Sequence, residues 1–220
     1  MLLLYEQKRL RPYELVAVLL RGSSWLHKHT NFSRLQHPRR IIGPMKLFFR
    51  LFWLIITQSR RARCSLFGPC DTRFRVLPND LDVLGHVNNG VYLTMMDLAR
   101  TDLLLRSNTF HAVRKNGWYP VLAGETIRFK RSLKLGQRFI IRTKVVGWDA
   151  QSVYLEQLFI RNNEFIARAV VDARFLSKRG GKVSPQELLA FLQINDESPA
   201  IPEWVQLWID SQRQLPTEVH

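Results

Sequence analysis

The spacing of apolar residues predicts a strand and a long helix from Asp71 onward. Residues 72–78 (TRFRVLP) alternate between apolar and polar side chains, which is typical of a strand, and Pro78 ends it. Residues 89–106 predict a buried helix because apolar side chains recur on one face at helical spacing: Tyr92, Met95, Met96, Ala99 and Leu103. Asn88 or Asn89 is suited to cap this helix at its start.

Four further strands and a short helix are predicted after a connecting loop around RKNGWYP. The strands are placed at residues 121–133, 137–148, 152–161 and 164–177. The dipeptide Asn162-Asn163 predicts a tight hairpin between the last two strands. Residues 184–192 predict a helix with Ser184 as its N-cap and Pro185 at its first position.

This order of elements predicts an α+β domain at residues 71–195, in which a curved antiparallel sheet wraps one long buried helix. The open edge of such a sheet needs cover, and pairing with the edge of a second copy is one way to supply it. Residues 196–220 form a tail that we expect to dock on the domain through Trp204 and Trp208.

The N-terminal part of the chain is predicted to be separate from this domain. Residues 1–44 are interpreted as a poorly ordered basic extension, and residues 45–70 as an apolar or amphipathic helix followed by a basic linker. The apolar run at 47–57 is shorter than the ~20 residues that a membrane-spanning helix needs. Residues 45–63 could lie at an anionic membrane surface or pack on the domain or a partner subunit. The predicted location is cytoplasmic, with peripheral contact to the inner face of a membrane as an open alternative.

Charge and cysteine content narrow the classes of partner. The net charge is +15, from 33 Lys and Arg against 18 Asp and Glu, which favours a polyanionic partner such as a phosphate-bearing ligand, a membrane surface or nucleic acid. Because no helix-turn-helix, zinc finger or ribonucleoprotein motif occurs, nucleic acid is not expected. Cys64 and Cys70 lack the further ligands of a structural zinc site. We expect free thiols, with a short-loop disulfide as the alternative.

The stretch DLDVLGHVNNGVYL, residues 80–93, places several polar groups directly before the long helix. A helix N-terminus has unpaired N–H donors and a partial positive charge, which stabilise negative charge on a ligand. Asp82 could act as a base or nucleophile, or could accept hydrogen bonds from loop amides. Asp80 is interpreted as a turn former, and His86 either takes part in the chemistry or packs within the loop. No set of metal ligands is found, so no metal is expected.

The motif D-x-D-x-x-G-H-x-N-N-x-x-Y before a long helix, followed by YP and four long strands, resembles the hotdog-fold acyl-CoA thioesterases of the 4-hydroxybenzoyl-CoA thioesterase-like group. The resemblance covers about residues 71–178, and within the group the chain looks most like the thioesterase superfamily member six-like branch. It implies dimers with active sites at the subunit interface. It also implies Asp82 as the catalytic aspartate, and a loop from Gly85 through His86 and Asn88 to Asn89 that presents N–H groups to the thioester carbonyl.

The function that this resemblance implies is hydrolysis of a fatty or aryl acyl-CoA to the free acid and coenzyme A. Coenzyme A is part of the substrate, so no separate cofactor is expected. The chain is expected to form a homodimer or a dimer of dimers. The alternative is a non-catalytic hotdog protein that binds acyl-CoA or lipid at a membrane surface.

Further residues are assigned to substrate binding by the same hypothesis. Met95 and Met96 are expected to line the acyl pocket, with the Tyr92 hydroxyl near the site. The coenzyme phosphates are expected to meet basic side chains, which otherwise form an ordinary solvated sheet face: Arg128, Lys130 and Arg131. Another branch of the group uses an acid on the helix, which makes Asp97 a reserve catalytic residue, with pairing to Arg100 as the alternative role.

Overall fold

A computed structural model describes residues 42–57 and 60–215, so nearly all of the predicted N-terminal extension lies outside the described residues. The chain divides between Arg61 and Ala62 into two compact units. The first contains helix α1 (Ile42–Thr57), which therefore begins inside the segment predicted to be poorly ordered. Among the described residues, no helix has both the length and the hydropathy to cross a bilayer. Contact of residues 45–63 with a membrane surface stays a prediction.

The second unit contains six strands and four α-helices within its described residues, 62–215. In chain order these are β1 (Cys70–Arg75), α2 (Asn89–Arg106), α3 (Thr109–Lys115), β2 (Trp118–Phe129), β3 (Arg138–Trp148), β4 (Val153–Arg161), β5 (Glu164–Ser177), β6 (Lys182–Val183), α4 (Pro185–Phe191) and α5 (Glu203–Arg213). A single 3₁₀ turn, Pro78–Asp80, precedes α2.

One antiparallel sheet organises this unit. Its strands follow the order β1-β3-β4-β5-β2, and β6 pairs with β5. The sheet is curled and packs against the long helix α2. The predicted α+β hotdog fold is therefore confirmed.

Helix α2 has the bounds that the apolar spacing predicts, and its inner face forms the centre of the core. All five residues assigned to that face are buried: Tyr92, Met95, Met96, Ala99 and Leu103. They pack in one cluster with strand residues that include Ile141, Phe159 and Val171. This 18-residue segment also contains β-branched and polar residues. Burial of the apolar stripe, rather than helix propensity, explains why the segment is helical.

The other face of the sheet is covered by α5. Docking of the Pro-interrupted tail on the domain was expected, but its helical structure was not predicted. Val205 and Ile209 of α5 pack with Val146, Tyr154 and Val170. This contact explains why β5 buries side chains on both faces. A Cβ at Gly147 would lie 2.5 Å from Ile201 Cγ1, so the chain passes too close to β3 there for any larger residue.

The sequence predicts the turns of this unit more accurately than it predicts the connecting segments. Asn162 and Asn163 have positive φ angles of 48° and 60°, as a tight hairpin requires, and Ser184 Oγ accepts a hydrogen bond from Glu187 N at 3.1 Å. However, β2 begins at Trp118, before the predicted position 121, and α3 lies between α2 and β2. Asn108, with φ 62°, redirects the chain so that α3 starts directly after α2.

Candidate active site

The Asp82 carboxylate closes a short loop before α2. Its Oδ1 accepts hydrogen bonds from the Leu84 and His86 amides at 2.9 and 3.3 Å, and the Asp82 amide donates to His86 O at 2.8 Å. Gly85 has φ +74°, a conformation that favours glycine, so its role here is to form the turn. Asp82 is half-buried, and its Oδ2 accepts no hydrogen bond from residues 42–57 or 60–215. One carboxylate oxygen thus holds the loop, while the other is available to a ligand.

Asp80 holds the same loop to the start of the helix. It is buried, its Oδ2 accepts a hydrogen bond from Leu77 N at 2.7 Å, and its backbone oxygen accepts one from Asn88 N at 2.9 Å. These contacts agree with its interpretation as a turn former. Asp82 is therefore the more accessible of the two acids.

Asn88 caps α2 and leaves one amide of the first turn open. Its Oδ1 accepts a hydrogen bond from Gly90 N at 2.9 Å, and its backbone oxygen accepts one from Val91 N at 2.9 Å. The Asn89 amide has no acceptor in the part of the chain that the structure describes. An open amide at a helix N-terminus can donate to an oxyanion.

The segment after β2 lies beside this loop and brings basic side chains to it. His86 and Lys134 form an isolated antiparallel bridge, and Val87 N donates to Leu133 O at 3.0 Å. Lys130 and Arg131 lie on this segment, a few residues before the bridge, and Arg128 lies near the end of β2. The phosphate contacts themselves stay a prediction.

Each of those three basic residues is exposed, and each has a different neighbour. Arg131 Nη1 lies 2.5 Å from Glu164 Oε2, and Lys130 Nζ lies 5.7 Å from the centre of the Phe165 ring. Arg128 is directly opposite Arg168 in the register of β2 and β5. Arg168 itself pairs with Glu156 Oε1 at 3.1 Å, so its charge is already partly compensated.

The three helix residues assigned to the substrate lie beneath the loop in the core. The Tyr92 hydroxyl accepts a hydrogen bond from Leu133 N at 3.2 Å, and burial raises the pKa of this phenol. Met95 and Met96 are fully buried. Neither methionine lines the apolar cavity that lies further along α2, so their contact with a substrate stays a prediction.

A largely apolar cavity of about 330 Å³ lies further along α2. Its walls come from α2, the sheet, α4 and the segment before β1, and include Leu66, Phe67, Leu103, Trp148 and Leu188. The Asp82 loop does not line it. Nine residues of helix separate Asn88 from Asp97 at the cavity, a rise of about 13 Å.

A polar network borders this cavity around Arg100. The guanidinium pairs with Asp97, lies 3.6 Å from Glu125 Oε2, and donates to Gln157 Oε1 at 2.7 Å. Asp97 thus pairs with Arg100, which is the role predicted for it as the alternative to catalysis. Asp97 also lines the cavity. Burial raises the pKa of the Glu125 carboxyl, an effect that Arg100 opposes and Asp97 increases.

Residues 76–209 match the family model of the Thioesterase-like superfamily. The chain belongs to this superfamily. It is 40% identical to Protein THEM6 of Danio rerio over 136 residues, which cover 61% of this chain and 66% of the fish protein, so part of that relative lies outside the match.

Solved structures agree with this thioesterase-like fold. YbaW, a probable thioesterase from Escherichia coli, superposes with a TM-score of 0.52 at 24% identity, covering 56% of this chain and 96% of YbaW. The BH1999 gentisyl-coenzyme A thioesterase gives a TM-score of 0.50 at 21% identity, covering 55% of this chain and 99% of BH1999. At these identities the two structures establish the fold and not the substrate.

The Asp82 loop offers two groups that could take part in thioester hydrolysis. A carboxylate can activate water or attack the carbonyl carbon, and an amide at a helix N-terminus can stabilise the oxyanion that results. Within residues 42–57 and 60–215, no group of three or more His, Cys, Asp and Glu side chains is arranged to hold a metal ion.

Two residues of the polar network, Glu125 and Gln157, were not found from the sequence. Gln157 is buried and bonds Met96 O and Thr143 Oγ1 at 3.1 and 3.0 Å. The sequence did contain an indication of Gln157, because this residue occupies an inward-facing position of an alternating strand, between Leu155 and Phe159. The sequence contained no comparable indication of Glu125, because its neighbour Arg100 on α2 is distant in sequence.

Proposed function

We propose that this chain hydrolyses acyl-CoA thioesters to the free acid and coenzyme A. The observation that carries the proposal is that the Asp82 carboxylate, with one oxygen open, lies in the loop that leads directly into the N-terminus of the buried helix α2. Membership of the Thioesterase-like superfamily supports the same class of reaction. BH1999, which shares the fold, acts on a coenzyme A thioester according to its name.

In the proposed reaction the thioester carbonyl oxygen accepts a hydrogen bond from the Asn89 amide. Negative charge develops on that oxygen as the carbonyl carbon is attacked, and one well-placed donor is typically worth about 3 kcal/mol in the transition state. Asp82 removes a proton from the attacking water or attacks the carbon itself. His86, Asn88 and Gly85 hold the loop in which these groups meet.

The proposal places the two ends of the substrate in different surroundings. Coenzyme phosphates would lie near the basic residues Arg128, Lys130 and Arg131, because their segment is bridged to the Asp82 loop. A fatty or aryl acyl group suits the apolar cavity of about 330 Å³, which falls at the small end of ligand pockets.

A second copy of the chain would bring these parts together. The Asp82 loop and the cavity of one chain are separate, and the sequence resemblance implies active sites at a subunit interface. Val83 and Leu84, at the tip of the loop, have exposed fractions of 101% and 77%, which is unusual for adjacent aliphatic residues beside a site and favours cover by another subunit. We therefore propose a homodimer, or a dimer of dimers, as the active form.

The experiment that tests this function compares Asp82→Asn with Asp97→Asn in the full chain. The substrates are acyl-CoAs of short, medium and long chains together with an aryl acyl-CoA, and released thiol is measured. We expect Asp82→Asn to lower kcat by about 100-fold or more, as loss of a general base does. Binding of acyl-CoA should persist, because the Asn oxygen can still accept hydrogen bonds from the Leu84 and His86 amides.

Asp97→Asn is the matched control, since it removes an acid of the same kind from the cavity and leaves the Asp82 loop intact. An inactive Asp97→Asn protein beside an active Asp82→Asn protein would transfer catalysis to the reserve residue. A wild-type chain that binds the acyl-CoAs and hydrolyses none of them would support the alternative, a non-catalytic acyl-CoA or lipid-binding protein.

A further inference from the structure

The segment that joins the linker to β1 forms part of the cavity wall. We call residues 62–71 the strap. Leu66 and Phe67 of the strap line the cavity, and the Phe67 ring stacks on the Trp148 ring with centroids 5.1 Å apart. The position of the strap therefore determines the shape of the cavity on this side.

Arg106, at the end of α2, holds both ends of the strap. Its Nε donates to Ala62 O at 2.8 Å, and its Nη1 donates to Asp71 O at 3.0 Å. The same guanidinium lies 3.2 Å from the buried Asp102 carboxylate, which fixes its orientation. With both ends held, the middle of the strap is the part that can still move relative to Trp148.

The two cysteines of the chain lie within the strap and next to each other. Cys64 Sγ and Cys70 Sγ are 2.9 Å apart and share a hydrogen bond, and both are free thiols. A disulfide bond requires about 2.05 Å, so the sulfur atoms need to approach each other by only about 0.9 Å. Cys64 is half-buried, which leaves access for a small oxidant, whereas Cys70 is buried.

The surroundings give the two thiols different reactivity. The hydrogen bond with Cys70 and the nearby Arg106 charge lower the pKa of Cys64. The hydrogen bond with Cys64, together with burial, raises the pKa of Cys70. Cys64 is thus the thiol that reacts first, and Cys70 is placed to react with the product.

We propose that Cys64 and Cys70 form a redox-active pair that peroxide converts into an intramolecular disulfide, which closes the strap covalently along the cavity. The Cys64 thiolate attacks one oxygen of hydrogen peroxide, the O–O bond breaks, and the sulfenic acid of Cys64 forms with release of hydroxide, which is protonated to water. The Cys70 sulfur then attacks the Cys64 sulfur, the S–O bond breaks, and a second water leaves with the Cys70 proton.

The disulfide limits the motion of Leu66 and Phe67, because the seven-residue ring from Cys64 to Cys70 has fewer conformations than the open strap. The cavity wall becomes more rigid in the oxidised protein and regains its freedom when a thiol reductant opens the bond. This inference does not depend on the hydrolysis proposed above, since it concerns the strap and the cavity alone.

The test uses the full chain, reduced and then treated with hydrogen peroxide. Trypsin cleaves after Arg63 and Arg73, so one peptide, residues 64–73, contains both cysteines. We expect this peptide to lose two hydrogen atoms and to resist alkylation by iodoacetamide after oxidation, and to recover both thiols after dithiothreitol. Hydrogen exchange at the amides of residues 65–68 should slow in the oxidised protein, while exchange in β5 stays unchanged.

Cys64→Ser and Cys70→Ser are the matched variants, and both keep a small polar side chain at each position. In Cys70→Ser, Cys64 should oxidise to a sulfenic acid that a dimedone probe captures, and no slowing of exchange should follow. In Cys64→Ser, the buried Cys70 should remain a thiol. Two thiols that both stay open to alkylation after peroxide treatment of the folded wild-type chain would overturn the proposal, and so would unchanged exchange in the linked protein.

Discussion

At the scale of single residues, two acids separated by one position have different roles because their surroundings differ. Asp80 is buried and holds the turn, whereas Asp82 is half-buried and has one oxygen without a hydrogen bond to the described chain. The D-x-D spacing indicates a site, but it does not show which carboxylate oxygens hold the loop and which one is open to a ligand. The roles of the oxygens depend on which loop amides point toward the carboxylate, and the left-handed conformation of Gly85 sets the direction of these amides.

Glu125 supplies a prediction about pH at the same scale. Burial raises the pKa of this carboxyl in the folded chain above its value in the unfolded chain. The folded state then holds the proton more tightly, so the stability of the fold falls as the pH rises from the unfolded pKa to the folded pKa and stays lower above it. We expect Glu125→Gln to raise Tm at about pH 8 and to change it little at about pH 3, where the carboxyl is protonated in both states.

Thermal unfolding followed by circular dichroism at several pH values measures this difference. Glu164→Gln is the control, because Glu164 is exposed and forms its ion pair at the surface with Arg131, where such pairs contribute little. A Glu125→Gln protein less stable than wild type at about pH 8 would mean that the Arg100 contact outweighs burial.

At the scale of elements, the start of α2 links stability to the proposed chemistry. Asn88 Oδ1 binds the Gly90 amide, and the neighbouring Asn89 side chain makes no capping bond at this helix start. We expect Asn88→Ala to lower the free energy of unfolding by about 1 kcal/mol, as loss of an N-cap typically does. Asn89→Ala should change it by less than about 0.5 kcal/mol, as an exposed substitution does.

Urea unfolding of both variants tests the cap, and Asn88→Asp should restore most of the stability because its oxygen can accept the same hydrogen bond. Equal losses for Asn88→Ala and Asn89→Ala would contradict the assignment of the cap. If Asn88→Asp regains stability and not hydrolysis, the negative charge beside the proposed oxyanion would explain the difference.

Elements with a periodic pattern could be predicted from the sequence, and elements fixed by distant contacts could not. The bounds of α2 and the Asn162-Asn163 hairpin follow from local spacing and turn chemistry. The helix α5 packs on Val146 and Val170 through Val205, Ile209 and the partly buried Trp208, which are too few apolar positions to give a clear period among prolines. Gln157 and Glu125 meet Arg100 only after the sheet has formed.

At the scale of the whole molecule, the sequence predicts the Asp82 loop but does not reveal the cavity. The loop is a continuous stretch, and its contacts are mostly within ten residues. The cavity gathers residues from the strap, α2, α3, four strands and α4, which come together only through the sheet order. In the proposed homodimer, the relation between the loop and the cavity would depend on how the two copies assemble.

Strand β2 is the element on which that assembly is expected to depend. It lies at one edge of the sheet and spans twelve residues, and along its outer side no strand from the described part of the chain pairs with it. Its exposed apolar side chains include Leu122, with an exposed fraction of 46%. A long edge strand with such residues is protected in native proteins by pairing or cover, which an equivalent strand of a second copy would provide.

We expect the wild-type chain to be a homodimer, or a dimer of dimers, in solution and Leu122→Arg to shift it toward the monomer, because two facing guanidinium groups would repel each other across the paired edge. Light scattering during size-exclusion chromatography measures the mass directly. Leu207→Arg is the control, since Leu207 is more exposed, at 64%, and belongs to α5 rather than to the edge strand. The readout is the mass of the variant rather than its activity, because Leu122 also lines the cavity proposed for the acyl group. A Leu122→Arg protein that stays dimeric would place the interface elsewhere.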